Sequence, residues 1–249
     1  MDVRQLAELM TGLTLTLKDG FRFGPGMAEP GSETVLGRVY GGGAPKLDDV
    51  LSAMEDLARH PDTIRHLARK MAVHFTSDNP DPDLIAALED AYRQNDGALM
   101  PVYETLLVHP ATLASFGEKA KQPLEFMMSA LVALGAEPSH IADLSRQDIV
   151  RGLVRPAARM GQPLFRPNGP DGWPEEAAYW ITPQALAARV LWSLDVTQRL
   201  SGRLLDPVRV LGTALGPLAG DALRFATGAA ETRADGVALI LASAEFNRR

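Results

Sequence analysis

The chain contains no cysteine. That absence excludes disulfides, thiolate nucleophiles and cysteine-ligated zinc or iron–sulfur centres. A basic surplus is missing too: 25 Lys and Arg face 31 Asp and Glu, giving a net charge of −6. This balance argues against a nucleic-acid partner, whose phosphates favour a basic face. No apolar run approaches the roughly 20 residues that span a bilayer, so no membrane partner is expected. The opening "MDVRQLAELMTGLTLTLKDG" lacks the basic region and apolar run of a secretory signal, and the expected location is the cytoplasm.

Catalytic signatures are equally scarce. There is no GxGxxG, no GxSxG elbow, and no HExxH or HxH among the five histidines. "GRVYGGGAPK" is rich in glycine but lacks the GxxxxGK[ST] spacing of a phosphate loop. "SDNPDPD" has the acids of a calcium loop, but aligning Asn79, Asp81 and Asp83 as ligands puts Leu84 where glycine is needed. No metal and no cofactor is expected, and those acids are expected to serve as helix caps and first-turn charges.

What is present is helix. The 249 residues are 46% hydrophobic, enough to build a core, and only 6% aromatic, so that core rests on Leu, Ala, Val and Met. The fold class expected is mainly α, a multi-helix bundle-like domain with a small β-hairpin region near the N-terminus. Residues 1–45 form a short helix plus a β and loop region. Asp2 caps the helix, "TLTLKDGFRF" turns at Asp19-Gly20 as a hairpin, and "TVLGRVY" reads as a short strand. Residues 46–249 form a helical domain. Periodicity predicts helices over 47–59, 61–75, 82–94, 98–108, 122–134, 146–159, 183–200, 206–215, 217–227 and 233–246. "HP" at His60-Pro61 and His109-Pro110 suits a helix end followed by a helix start. Gly135 and Gly228 sit where left-handed helix ends are expected.

Three features compete for a function. His74 lies at the border of the apolar stripe Ile64, Leu67, Ala68, Met71, Ala72 and Phe75, four residues before Asp78. It reads either as a His–Asp acid/base pair or half a metal site, or as a border histidine with a local partner. Arg151, Arg155 and Arg159 recur at i, i+4, i+8 and drift round one helix side that Pro156 interrupts. Such a row can grip carboxylate or phosphate in forks, or be a solvated face paired with acids elsewhere. The row leads into a long Pro, Gly and Trp loop, 161–183, holding Trp173 and Trp180. Those aromatics either pin the loop to the helices or line a pocket mouth.

"HPDTIRHLARKMAVHFTSDNPDPDLIAALEDAYRQNDGALMPVYETLLVHP", "KQPLEFMMSALVALG", "GQPLFRPNGPDGWPEEAAYWITPQALAARV" and "LILASAEFNRR" together resemble a large bacterial family, the domain of unknown function 1800. The resemblance implies a mainly helical protein and brings no activity or catalytic residues. Family members usually carry a further helical region before "DVRQLAELMTG", so the chain reads as the C-terminal portion, with a partner polypeptide supplying the missing N-terminal half. They often show a His-Asp pair and a lysine before "TVLG", where this chain has Ala28, Glu29 and Glu33, and tend to have tryptophan at the position of Leu13. The function expected first is a non-catalytic helical binding or assembly module. The alternative is an enzyme with an anion-facing pocket under the 161–183 loop, built from the arginine row, Trp173 and Trp180, with His74 as the base.

Overall fold

The computed structural model describes residues 1–18, 20–199 and 206–249 and, of His140, the backbone alone. It divides into two compact units, Met1–Lys70 with Pro82–Val108, and Met71–Asp81 with His109–Arg249. Residues 45 and 46 both fall in the first unit. The reason lies in the β region, where Val35 and Tyr40 bury themselves against Ala53 of the first long helix.

The first unit opens with α1 (Asp2–Leu9), then the antiparallel pair β1 (Leu13–Thr16) and β2 (Gly20–Phe23). Of the expected Asp19-Gly20 turn, Asp19 lies outside the described residues. Met1, not Asp2, is the N-cap of α1; the Asp2 carboxylate instead accepts from the Leu36 backbone N–H at 3.1 Å. "TVLGRVY" is not one strand. It is a second hairpin, β3 (Ser32–Val35) and β4 (Arg38–Gly41), turning at Leu36 and Gly37 with φ of 47° and 80°. Positive φ at both turn residues matches the right-handed strand twist, and glycine supplies the second at no steric cost. Helices α2 (Leu47–Ala58), α3 (Pro61–Phe75), α4 (Pro82–Gln94) and α5 (Leu99–Val108) follow, the last turn of α3 falling in the second unit.

The second unit holds α6 (Pro110–Ala114), α7 (Pro123–Ala133), α8 (Pro138–Ala142), α9 (Arg146–Ile149), α10 (Arg155–Arg159), α11 (Ala177–Trp180), α12 (Pro183–Arg199), α13 (Pro207–Ala214), α14 (Asp221–Gly228) and α15 (Arg233–Ala242). The end of α12 expected at residue 200 lies outside the described residues. Its core joins Phe126, Met127 and Ala130 of α7 to Trp192 of α12 and to Val237, Ile240 and Leu241 of α15. The Phe126 ring stands edge-on to Trp192 and to Phe246, at 5.5 and 6.1 Å between centroids.

Punctuation explains most helix ends. Gly135 closes α7 with φ of 72°, but Gly228 stays inside α14, which ends at Ala229 in the right-handed region. The two His-Pro joints work differently from a dipole charge. His60 Nδ1 accepts from the Asp62 N–H at 3.2 Å and His109 Nδ1 from the Ala111 N–H at 3.3 Å, so each imidazole caps the helix that follows.

One interruption matters for the site. Between α9 and α10, Val150–Val154 is a single π-turn, with Arg155 N–H bonded to Val150 O. Pro156 has no N–H to offer the carbonyl of Gly152 four residues back. That carbonyl accepts instead from the indole Nε1 of Trp192, at 2.8 Å.

Candidate functional site

The first cluster forms around Lys119, which is 2% exposed. Its ammonium donates to Asp78 Oδ1 and to the Glu175 backbone carbonyl, both at 2.7 Å, and lies 3.7 Å from Glu175 Oε2. Asp78 Oδ2 accepts from the Ala177 N–H at 2.7 Å, at the start of α11. His74 Nδ1 donates to Glu175 Oε1 at 2.9 Å. The chain of contacts therefore runs Asp78, Lys119, Glu175, His74. His74 and Asp78 do not pair with each other; each has a partner in or beside the loop, and Lys119 links them.

The electrostatics follow from burial. Desolvation works to raise the Asp78 carboxyl, but it is outweighed by the Lys119 hydrogen bond, the Ala177 N–H and the ammonium charge, which hold it below its ordinary value. The cluster clamps the loop: Trp180 is fully buried, donates from Nε1 to Pro174 O at 2.9 Å, and meets Trp173 edge-on at 6.0 Å. A histidine oriented by a carboxylate is one half of an acid/base device. Its side chain is 41% exposed, with Phe75 edge-on beside it at 4.8 Å.

A neighbouring buried cation, Arg189 of α12, ties this region to residues 246–249. It donates to Asn247 Oδ1 and to Lys121 O, both at 2.7 Å, and its guanidinium lies 5.1 Å from the Phe126 ring centroid. Burial pulls its pKa down to about 10, against the opposing pull of Glu125. Lys121 N–H bonds to Asn247 O, and Arg249 N–H to Lys119 O, so residues 119–121 are held in antiparallel fashion by this segment.

The second cluster is the arginine row. Arg151, Arg155 and Arg159 are exposed and line a groove of about 860 Å³ with Gln184, Ala187, Leu191, Trp192, Asp195 and Arg199 of α12. In an unbroken α-helix, residues four apart drift by about 40° per step. The extra residue of the π-turn takes back about 100° over the row, returning the three arginines to one side. Asp195 is paired with Arg199 at 2.9 Å; among the described residues the three row arginines have no acid partner. The lining contains neither Trp173 nor Trp180, and neither His74 nor Asp78. Of the five residues expected to form one ligand site, the three arginines line the groove with α12, while Trp173 and Trp180 meet each other in the loop held by the His74 cluster.

Lys119, Glu175, Arg189 and Trp192 escaped the sequence reading. Glu175 sits within the loop already singled out, and its position after Pro174 was the available signal. The others are single residues with no spacing to mark them. In the first unit, Ala28, Glu29 and Glu33 line a cavity of about 20 Å³. Burial and the neighbouring Glu8 carboxylate push Glu33 up. Among the described residues no group of three or more His, Asp and Glu is placed to hold a metal ion, and no helix is long and apolar enough to cross a membrane.

No curated protein and no solved structure matches the chain. A family model does, over residues 1–248: with essentially the whole chain matched, this protein belongs to the family described as protein of unknown function (DUF1800).

Proposed function

We propose that the protein is a non-catalytic helical binding and assembly module, acting in a bacterial cytoplasm on a partner polypeptide. The carrying observation is α12. Ala185, Arg189, Trp192, Ser193 and Thr197 turn one side of this helix into the core. A second side remains open. Val190 and Leu194 are 41% and 36% exposed, and together with Leu239 of α15 at 42% they line an apolar groove of about 410 Å³. A helix apolar on more than one side is normally covered on more than one side. The His74 cluster supports the same reading, because Lys119 and Asp78 are engaged in holding the 161–183 loop.

The test is co-purification of the tagged chain from its own host, beside a Leu194→Glu, Leu239→Glu variant. A polypeptide held by the parent and lost by the variant is the expected result. Equal recovery from both, or recovery from neither, overturns the reading. A second reading, an enzyme with an anion-facing pocket under the loop, draws on the half-buried His74–Glu175 pair. The arginine-lined groove does not include that pair, which tells against it.

A further inference from the structure

We infer that the arginine-lined groove between α10 and α12 is the docking site for an acidic amphipathic helix of a partner polypeptide. The inference rests on the assembly reading and names the chemistry of the partner. Three observations carry it. First, the groove holds three exposed arginines with no acid partner among the described residues, in a chain whose net charge is −6. A positive strip on a negative molecule asks for negative charge from outside. Second, the spacing is helical. Steps of four residues set the three arginines about one helical turn apart from each other, the interval at which carboxylates recur at i, i+4, i+8 on an opposing helix. The π-turn is what keeps all three facing one way, and guanidinium forks suit carboxylates. Third, the opposite wall carries an apolar strip between Gln184 and the Asp195–Arg199 pair. Leu191 is 67% exposed, with Ala187 beside it and the Trp192 ring lining the groove. A small polyanion leaves that leucine in water; an amphipathic helix covers it with its own apolar stripe while its acids meet the arginines.

The experiment uses the full chain and a labelled amphipathic peptide about four turns long, with glutamates at three successive i, i+4, i+8 positions beside a leucine stripe. Fluorescence anisotropy reports binding. The acidic peptide is expected to bind, more weakly as salt rises, and to lose about tenfold or more in affinity when its glutamates become glutamine, or when the chain carries Arg151→Gln, Arg155→Gln and Arg159→Gln. An Arg155→Glu chain is expected to regain binding to a peptide whose central glutamate is lysine. These arginines are exposed, so the variants keep the parent's melting temperature, which is checked alongside. Equal binding of the glutamate and glutamine peptides overturns the inference. So does displacement of the peptide by equimolar inorganic tripolyphosphate, which makes this a small-anion site, or self-association abolished by the triple variant, which gives the groove to a second copy. The assembly reading is judged separately, on Leu194 and Leu239, which do not line this groove.

Discussion

Lys119 holds an ammonium at 2% exposure because two acids and a carbonyl meet it. Removing one partner of such a cluster leaves uncompensated charge, so Lys119→Met is expected to cost about 3–5 kcal/mol in urea-melt stability. Pairing it with Asp78→Asn should recover part of that loss in a double-mutant cycle. The Asp78 carboxyl is lower in the folded chain than in the unfolded one. Its contribution is therefore complete above the unfolded value of about 3.9 and disappears as pH falls through the lower folded value. Urea melts taken from pH 7 down to pH 3 should show a shallower acid limb for Asp78→Asn than for the parent. These pairings were invisible in the sequence for a physical reason: His74 and Glu175 are 101 residues apart, and Asp78 and Lys119 are 41. His74 and Asp78 stand four apart, but their side chains find long-range partners instead of each other.

At the scale of elements, local chemistry was the readable part. Proline starts and apolar periodicity bracket α3, α4 and α12 in the sequence as they do in the fold. The short helices α6, α8 and α11 have too few residues for a periodic signal. The second hairpin was hidden by its turn, since Leu36 at φ of 47° is a residue type that rarely marks one. Gly37 at φ of 80° has open space where a Cβ would go. Gly37→Ala should therefore cost about 1 kcal/mol, from backbone strain alone, in a thermal melt. The π-turn was half legible: Pro156 announced an interruption, but its partner Trp192 belongs to another helix. Pro156→Ala restores an N–H that competes with Trp192 for the Gly152 carbonyl. It is expected to relax the turn, fan out the arginine row and weaken the acidic peptide by several-fold in the anisotropy assay.

At the scale of the whole molecule, helical content and the small β region were legible because composition and punctuation determine them. The apolar groove on α12 was not, because which flank of a helix is left open depends on what packs against the others. Leu194→Glu and Leu239→Glu sit at that open flank, so each should change stability by no more than about 0.5 kcal/mol, measured by denaturant midpoint, while abolishing partner retention. The three tryptophans also differ in what their ring nitrogens do. Trp180 gives its proton to Pro174 O and Trp192 to Gly152 O, while Trp173 has no acceptor among the described residues. In heavy water two indole resonances should therefore persist long after the third has faded. Each of the two lasting signals watches a different part of the second unit, one the clamped loop and one the π-turn, so a single spectrum can tell which of the two a ligand touches.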